Sequence, residues 1–526
     1  MQKLLLGLLS LTAIGLGVYL GAQPQTGPAK VRIRLVDAGT GKGVVGMVRV
    51  LTADKKHVEL AGLYDRMTGL VKDNPGVHWY LVPAGGAEVA LPRVMLRFEA
   101  VCGVESHSVG MNVDLGGKTP DAITLEMPML FHADKLGLVA GNTHLHLKNM
   151  SLEQSDAYLR NIPAADGLRV MFISYLERDK DDRSYITNKY PIGDLAKLNA
   201  TGVVFNNGEE HRHNFKDYGE GYGHVMFLGI KDLVKPVSIG RGIMNAGFDD
   251  PALRPGIDNA KKQGGTIIWC HNTNGYEDVP SAISGRLDAI NVFDGSRTGK
   301  FEDNYYRYLN IGLRMPISTG TDWFMYDWSR VYAELLPSSN EGKPKLTIAS
   351  WLDAVKAGRC QATNGPLLSL SVDGKTLGDV IDLKEPKTVK ITASAIGRHP
   401  PQRLQLIRNG KVIKTQLAAE KNSTRIDLTH QVRVDEPAWF AVRIESDAKN
   451  EFGRTIYAHT SPIYADFQGK RVFDVDSAVA LLKQVEDGRA IIADQARFSS
   501  PAAGKTLLQI YDDAAQTLRE RVNNRK

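Results

Sequence analysis

Val31-Arg32-Ile33-Arg34-Leu35 alternates apolar and charged side chains at period two, the pattern of a strand with one buried face. Asp37-Ala38-Gly39-Thr40-Gly41-Lys42 follows as a turn cluster, and Met47-Val48-Arg49-Val50-Leu51 resumes the alternation. Short strands and turns continue through Gly116-Gly117-Lys118-Thr119-Pro120, so residues 28–130 read as a β-sandwich domain without visible chemistry. Over residues 136–365 short apolar runs alternate with stretches of helical period, which predicts an α/β domain with a parallel sheet. Its predicted strands are Leu136–Ala140, Leu168–Ser174, Gly202–Asn206, Thr266–Cys270, Ala289–Phe293 and Met315–Thr319. Predicted helices include Ser151–Arg160, opened by the capping-box pattern Ser151-Leu152-Glu153-Gln154, then Pro251–Gln263, Asp303–Leu309 and Ile348–Ala357. Over 366–470 the β pattern returns, with Asn409-Gly410 as a hairpin signal and Trp439-Phe440-Ala441-Val442-Arg443 as a strand. Residues 473–526 are helical and amphipathic: Val475, Val479, Leu482 and Val485 form one stripe, and Leu507, Tyr511, Ala514 and Leu518 another. Such a stripe docks on its own domain or forms a homodimer contact.

Composition adds exclusions. With 526 residues, 43% hydrophobic and 24% charged, the chain is an ordinary multidomain globular protein, neither disordered nor fibrous. A net charge of +6 spread along this length does not suggest nucleic acid. Met1-Gln2-Lys3, the apolar run Leu4–Leu20 and the small residues of Leu20-Gly21-Ala22 make residues 1–22 an expected signal peptide. An uncleaved N-terminal anchor is the competing reading, and in either case the remainder is exported, periplasmic or secreted. Cys102, Cys270 and Cys360 are too few for a disulfide scaffold and allow one bridge at most.

Seven of the thirteen His lie between His132 and His271. His144-Leu145-His146 places two imidazoles on one side of extended backbone, which suits two ligands on one metal and equally an ordinary surface pair. The other polar groups shift that balance. Gly202–Asn206 runs into Gly208-Glu209-Glu210-His211-Arg212-His213, Thr266–Cys270 into His271-Asn272, and Met315–Thr319 into Gly320-Thr321-Asp322. Each is an apolar strand whose C-terminal end delivers a carboxylate or imidazole, the end that carries active sites in α/β sheets and barrels. Converging His, His, Glu, His and Asp make a donor set for a divalent metal, Zn first, with Mn or Fe as alternatives. Cys270, one residue before His271, is expected to point away from it. His224 begins the run Val225–Ile230 rather than ending one, and by position alone is as readily a strand-entry His.

These residues resemble the polymerase-and-histidinol-phosphatase (PHP) metallohydrolases, and more narrowly their exported carbaryl-hydrolase-type branch, CehA/McbA. The resemblance rests on the order His-x-His, Gly-x-Glu, Gly-His, a strand ending in His, and a late Gly-Thr-Asp. Three stretches support it: Gly141-Asn142-Thr143-His144-Leu145-His146, Leu309-Asn310-Ile311-Gly312-Leu313-Arg314-Met315-Pro316, and the branch-specific Ala357-Gly358-Arg359-Cys360-Gln361-Ala362-Thr363-Asn364-Gly365-Pro366-Leu367. It spans roughly Arg34 to Asp382. It implies an irregular PHP-type α/β barrel with metals at the strand C-termini, flanked by the β domains. It further implies that His144, His146 and Asp322 hold one metal, and that Glu210 bridges to a second held by His224 and His271. Glu209 is the alternative bridge. Ser174-Tyr175-Leu176-Glu177 replaces the family's Thr-Asp-His, and Asp322-Trp323-Phe324 its Asp-x-His, so one or two ions are expected rather than three.

The expected activity is therefore hydrolysis of a small-molecule substrate by metal-activated water. Asp322 or the Glu209/Glu210 pair would accept the proton. His211 and His213 are candidates to protonate a leaving group or bind an anion, or are solvated loop residues, and Arg212 is as readily a salt-bridge partner. The branch implies amide, carbamate or ester cleavage. A phosphoesterase, or a non-catalytic exported binding or surface protein, are the other classes. Tyr175, Trp323, Phe324, Tyr326 and Trp328 line a pocket near Asp322 or belong to the core.

Overall fold

The computed structural model describes residues 27–66, 78–179, 185–192, 195, 197–198, 202–216, 221–272, 274–294, 300–337 and 345–524. The expected signal peptide lies outside the described residues. No described helix is long and apolar enough to cross a membrane. The N-terminal strand Ala29–Asp37 buries every second residue and joins a three-stranded sheet that faces a five-stranded one. Val31, Ile33, Leu35, Val48, Val50, Leu96 and Phe98 fill the space between them. Each such buried side chain is worth about 1.5–3 kcal/mol.

The expected α/β barrel is not what forms. The molecule is mostly β, 37% strand against 22% helix, and its centre is one continuous sheet curled into a half-barrel. Thirteen strands lie along its path, from Ile317–Gly320 through Ala289–Asp294, Thr266–Cys270, Gly223–Leu228, Val204–His213, Val170–Tyr175 and Leu138–Asn142 to Arg330–Glu334. It then runs on through Cys360–Thr363 and Ala458–Thr460 into the C-terminal strands Ala438–Glu445, Arg403–Arg408 and Lys411–Leu417. The reason is local. Val204–His213 continues six residues past its last asparagine, Asn207, and turns back antiparallel onto Gly223–Leu228, which in turn pairs antiparallel with Thr266–Cys270. Two antiparallel steps interrupt the βα alternation that a barrel requires.

Inside the curl Val170, Phe172, Met226, Leu228, Ile268, Ala289, Val331 and Ala333 meet Trp351 and Leu352 of the helix Ile348–Lys356. The Trp351 ring would lie 2.5 Å from a Cβ at Gly141, so only glycine lets it seat there, where its Nε1 donates to Val139 O. The helix therefore closes one end of the curl and leaves the other end to polar groups.

The C-terminal helices Val475–Gln495 and Pro501–Asn523 form a hairpin buried on this chain's own core through Ala478, Leu481, Val485, Ile492, Leu507, Tyr511, Ala514 and Leu518. The second stripe lies where the sequence places it. The first is rotated: Val479 is 49% exposed, and Ala478 and Leu481 take the inner positions. All three Cys are free and buried.

Candidate metal centre

Register decides which side chains enter the open end of the curl. Glu210 pairs with Met226, Arg212 with His224 and Gly208 with Leu228 across the antiparallel ladder. Met226 and Leu228 face the inner core, so Glu210, Arg212 and His224 face inward with them. Glu209, His211 and His213 therefore face outward, beside Val225 and Phe227 of the outer core.

That corrects three expectations. Glu209 accepts the Val234 N–H and does not join the cluster, so it is not the bridging carboxylate. His211 lies against Phe227, with ring centres 5.0 Å apart, and its Nε2 would be 2.3 Å from a Cβ at Gly256. The His213 Nε2 is 3.0 Å from Asp249 Oδ1, its Nδ1 accepts the Tyr222 N–H, and its ring stacks on Tyr222 at 3.8 Å. Burial outweighs the pull of Asp249 and lowers the His213 pKa. Both His are packing residues behind the wall of the site, not groups that reach a substrate within it.

The His-x-His pair and Asp322 share one structural unit despite their distance in sequence. Leu145–His146 pairs parallel with Asp322–Trp323, and His144 O accepts the N–H groups of both Thr321 and Asp322. A Cβ at Gly320 would fall 2.4 Å from that of His144, so this approach requires glycine. His144 Nε2 is 2.9 Å from His146 Nε2, which is 2.9 Å from Glu210 Oε2. The other oxygen of Glu210 lies 2.9 Å from His224 Nδ1. Asp322 Oδ1 is 3.5 Å from His144 Nε2, and its Oδ2 is 4.0 Å from His271 Nε2.

Among the described residues three groupings have metal-ligand spacing, His144/His146/Glu210, Glu210/His224/His271 and His144/Cys270/Asp294, and Glu210 belongs to the first two. These buried His and Glu side chains could hold a metal ion. The tautomers favour it. His146 Nδ1 faces the Ser174 carbonyl at 3.1 Å and His144 Nδ1 faces Asp294 at 2.9 Å, both pure acceptors. Each ring donates through Nδ1, and both Nε2 atoms turn towards the Glu210 carboxylate.

Asp294 is the residue that sequence reasoning missed. It follows the predicted strand Ala289–Phe293, so the rule that found Asp322 points to it as well. Alternation alone would turn it outward, because Ala289 faces the inner core. A β-bulge between Asn291 and Phe293 shifts the phase by one and brings Asp294 inside. Cys270 also departs from expectation. It pairs with His224, faces inward, and lies within metal-ligand spacing of His144 and Asp294. His271 adopts φ +60°, which breaks the alternation and lets its side chain share that face. Asp322, at φ +57°, is likewise left-handed, the kind of local strain concentrated at working sites.

Charge is set by these neighbours. Burial alone would lower the His144 pKa, but Asp294 and Asp322 overcome it and hold the imidazolium well above its usual range. For His146 burial wins, and its pKa is lowered. Burial would raise Glu210, but Arg212, 3.3 Å away, together with His224, His144 and His146, holds it well below the carboxylate range. Asp322 is pushed up to about 7 by burial, aided by the charges of Glu210 and Asp294 and opposed by His144 and Arg212. Burial lifts the Cys270 thiol to about 12, which keeps it neutral.

Among the aromatics near Asp322, Phe324 and Trp328 are core, whereas Trp323 is partly exposed. The Trp323 ring is 5.1 Å from that of His146 and lies under the Lys148 ammonium at 4.6 Å. Comparison with protein-family models finds no match for this chain, and comparison with curated proteins finds none either.

Proposed function

We propose that the chain is an exported metal-dependent hydrolase that cleaves an amide, carbamate or ester bond in a small molecule. The observation that carries this reading is the Glu210 carboxylate, one oxygen facing the His144/His146 pair and the other facing His224. A buried carboxylate that reaches two imidazole groups from two oxygens suits one or two ions, Zn first, with Mn or Fe as alternatives. The donor set fits such an ion: imidazole nitrogens turned inward, ionised Glu210, and Asp294 with one buried oxygen that accepts no hydrogen bond. Bound there, the ion supplies Lewis-acid polarisation and lowers the pKa of water towards about 7.

The chain's own residues do the rest. His144 and His146 are oriented by Asp294 and by the Ser174 carbonyl. Arg212 keeps Glu210 anionic. Asp322, the most exposed carboxylate of the cluster at 14%, is placed to take a proton from water on the open side. His211 and His213 face the other way and have no part in it. The resemblance of the motifs to the PHP metallohydrolases supports the reading of the site, not of the fold.

The test is metal content by mass spectrometry on protein purified without added metal, beside a His144→Ala/His146→Ala variant. One or two Zn, Mn or Fe per chain, reduced in the variant, is expected, with turnover in a panel of aryl esters, carbamates and amides. No metal in either protein, and none taken up on titration, would overturn the assignment. Turnover of phosphate esters alone would move it to the phosphoesterase class.

A further inference from the structure

Alternation carries past the His-x-His pair. Leu145 and Leu147 are fully buried in one hydrophobic core, so His144, His146 and Lys148 share the opposite side of the backbone. Pairing keeps that backbone extended: Lys148 bridges Tyr185 antiparallel, and Ile186 N donates to Leu147 O. Lys148 is therefore the third side chain of a His-x-His-x-Lys row, and the first of the row that solvent reaches. His144 and His146 are fully buried, whereas Asp322, Trp323 and Lys148 are each partly exposed, so the cluster opens on their side.

Trp323 fixes where the lysine stands. The parallel pairing of Leu145–His146 with Asp322–Trp323 sets His146 opposite Trp323. The Trp323 ring lies 5.1 Å from that of His146 and 5.4 Å from that of Tyr185, and the Lys148 ammonium sits 4.6 Å from its centre. A cation over an indole face gains about 0.5–2 kcal/mol, which holds the long side chain in place without occupying an N–H. Among the described residues Lys148 makes no ion pair, whereas the Arg212 guanidinium is committed to Glu210. Three ammonium N–H groups at the open side of the cluster suit an anionic ligand. We propose that Lys148, held on Trp323, is the specificity residue of the site and selects a small molecule that carries a carboxylate besides the bond to be cleaved. Trp323 is its positioning residue. This rests on the hydrolase reading for the bond cleaved, but not for the anion binding itself.

The binding arm titrates 4-(trifluoromethyl)phenylacetate and its neutral amide against the full chain by fluorine NMR, with chelator present so that no metal takes the anion. The acid is expected to bind about tenfold more tightly than the amide, Lys148→Gln to abolish that preference, and Lys148→Arg to keep it. The kinetic arm compares mono(4-nitrophenyl) succinate with 4-nitrophenyl butyrate on metal-loaded protein. The ratio of their kcat/KM values should fall about tenfold in Lys148→Gln, through the KM of the anionic ester, and recover in Lys148→Arg. Trp323→Leu leaves the charge without its support and should lower the ratio part of the way, again through KM. An unchanged ratio there would overturn the positioning role. Equal binding of acid and amide, no saturable binding of either, or a preference that survives Lys148→Gln overturns the proposal, and so does an unchanged kinetic ratio in that variant. Acid-selective binding that depends on Lys148, without turnover of either ester, leaves the anion site standing and overturns the hydrolase reading instead.

Discussion

Asp294→Asn isolates the charge that orients His144 while keeping size and a hydrogen-bond acceptor. The carboxylate is fully buried, 2.9 Å from His144 Nδ1 and 2.9 Å from Asn291 Nδ2. Two unit charges at that separation interact by about 6 kcal/mol at an effective dielectric of about 20, which bounds what a proton on His144 gains from it. A metal on Nε2 senses the same charge through the ring, and loss of such an orienting carboxylate costs about 10–100-fold in metal affinity, or about 1.4–2.7 kcal/mol. The assay is competition for Zn²⁺ against a chromophoric chelator at fixed pH, on metal-stripped wild type, Asp294→Asn and His211→Gln.

The expected order is wild type equal to His211→Gln, with Asp294→Asn weaker by one to two decades. The pH dependence sharpens it. Asp294 holds the His144 pKa up, so in wild type a proton competes with metal over a wider range below that raised value. Removing the charge lowers this pKa, and the affinity of Asp294→Asn should fall less steeply towards acid. The melting temperature of the metal-free variant controls for folding. Wild-type affinity in a folded Asp294→Asn, or a loss in His211→Gln as large, would refute the assignment of inner and outer faces.

Arg212→Gln removes the cation 3.3 Å from Glu210, so the Glu210 pKa should rise and half-maximal metal uptake should move to higher pH. An unchanged uptake-against-pH curve would show that Arg212 does not set that charge. Gly320→Ala places a Cβ 2.4 Å from that of His144, and should cost about 1–3 kcal/mol in chemical denaturation together with metal content. Wild-type stability with full metal loading contradicts it. Glu277 is fully buried, accepts the N–H groups of Leu253 and Arg254, and burial lifts its pKa to about 7. For a carboxyl whose folded pKa is raised, the contribution to stability is complete below about 4.5 and is lost as pH rises towards 7, about 3 kcal/mol in all. Melting curves should therefore show Glu277→Gln gaining on wild type across that window. A constant difference would exclude the shift.

The strands were legible where burial is strong and local. Thr266–Cys270 is bounded in the structure as its apolar run predicts, and the capping box at Ser151 forms, with the Ser151 side chain accepting from Gln154 N. The architecture was not, because periodicity reports an element and not its partner. The run at Gly202–Asn206 gave no sign that pairing continues through Glu209-Glu210-His211-Arg212-His213, polar residues that this strand buries on both faces. That extension makes the antiparallel ladder with Gly223–Leu228 and so replaces a barrel by a curled open sheet.

The same extension explains why the chemistry was only half legible. Polar residues just past an apolar strand look like loop residues free to converge, so His211 and His213 seemed as available as Glu210. Once they lie inside the strand, parity alone separates them: even positions 210 and 212 meet the candidate metal cluster, and odd positions 209, 211 and 213 meet Phe227, Asp249 and Tyr222. Where parity is deliberately broken the sequence misleads in the opposite sense. The bulge after Asn291 turns Asp294 in, and φ +60° at His271 lets it share a face with Cys270. Each break brings one more donor to the open end of the curl than regular strands could supply. A donor cluster of this density therefore depends on those irregularities. Val292 is the extra residue that the bulge absorbs, so deleting it should leave Phe293 opposite Thr319 and Asp294 opposite Gly320, with metal uptake retained. Loss of metal uptake in that deletion, in a chain that still melts cooperatively, would refute this reading of the phase.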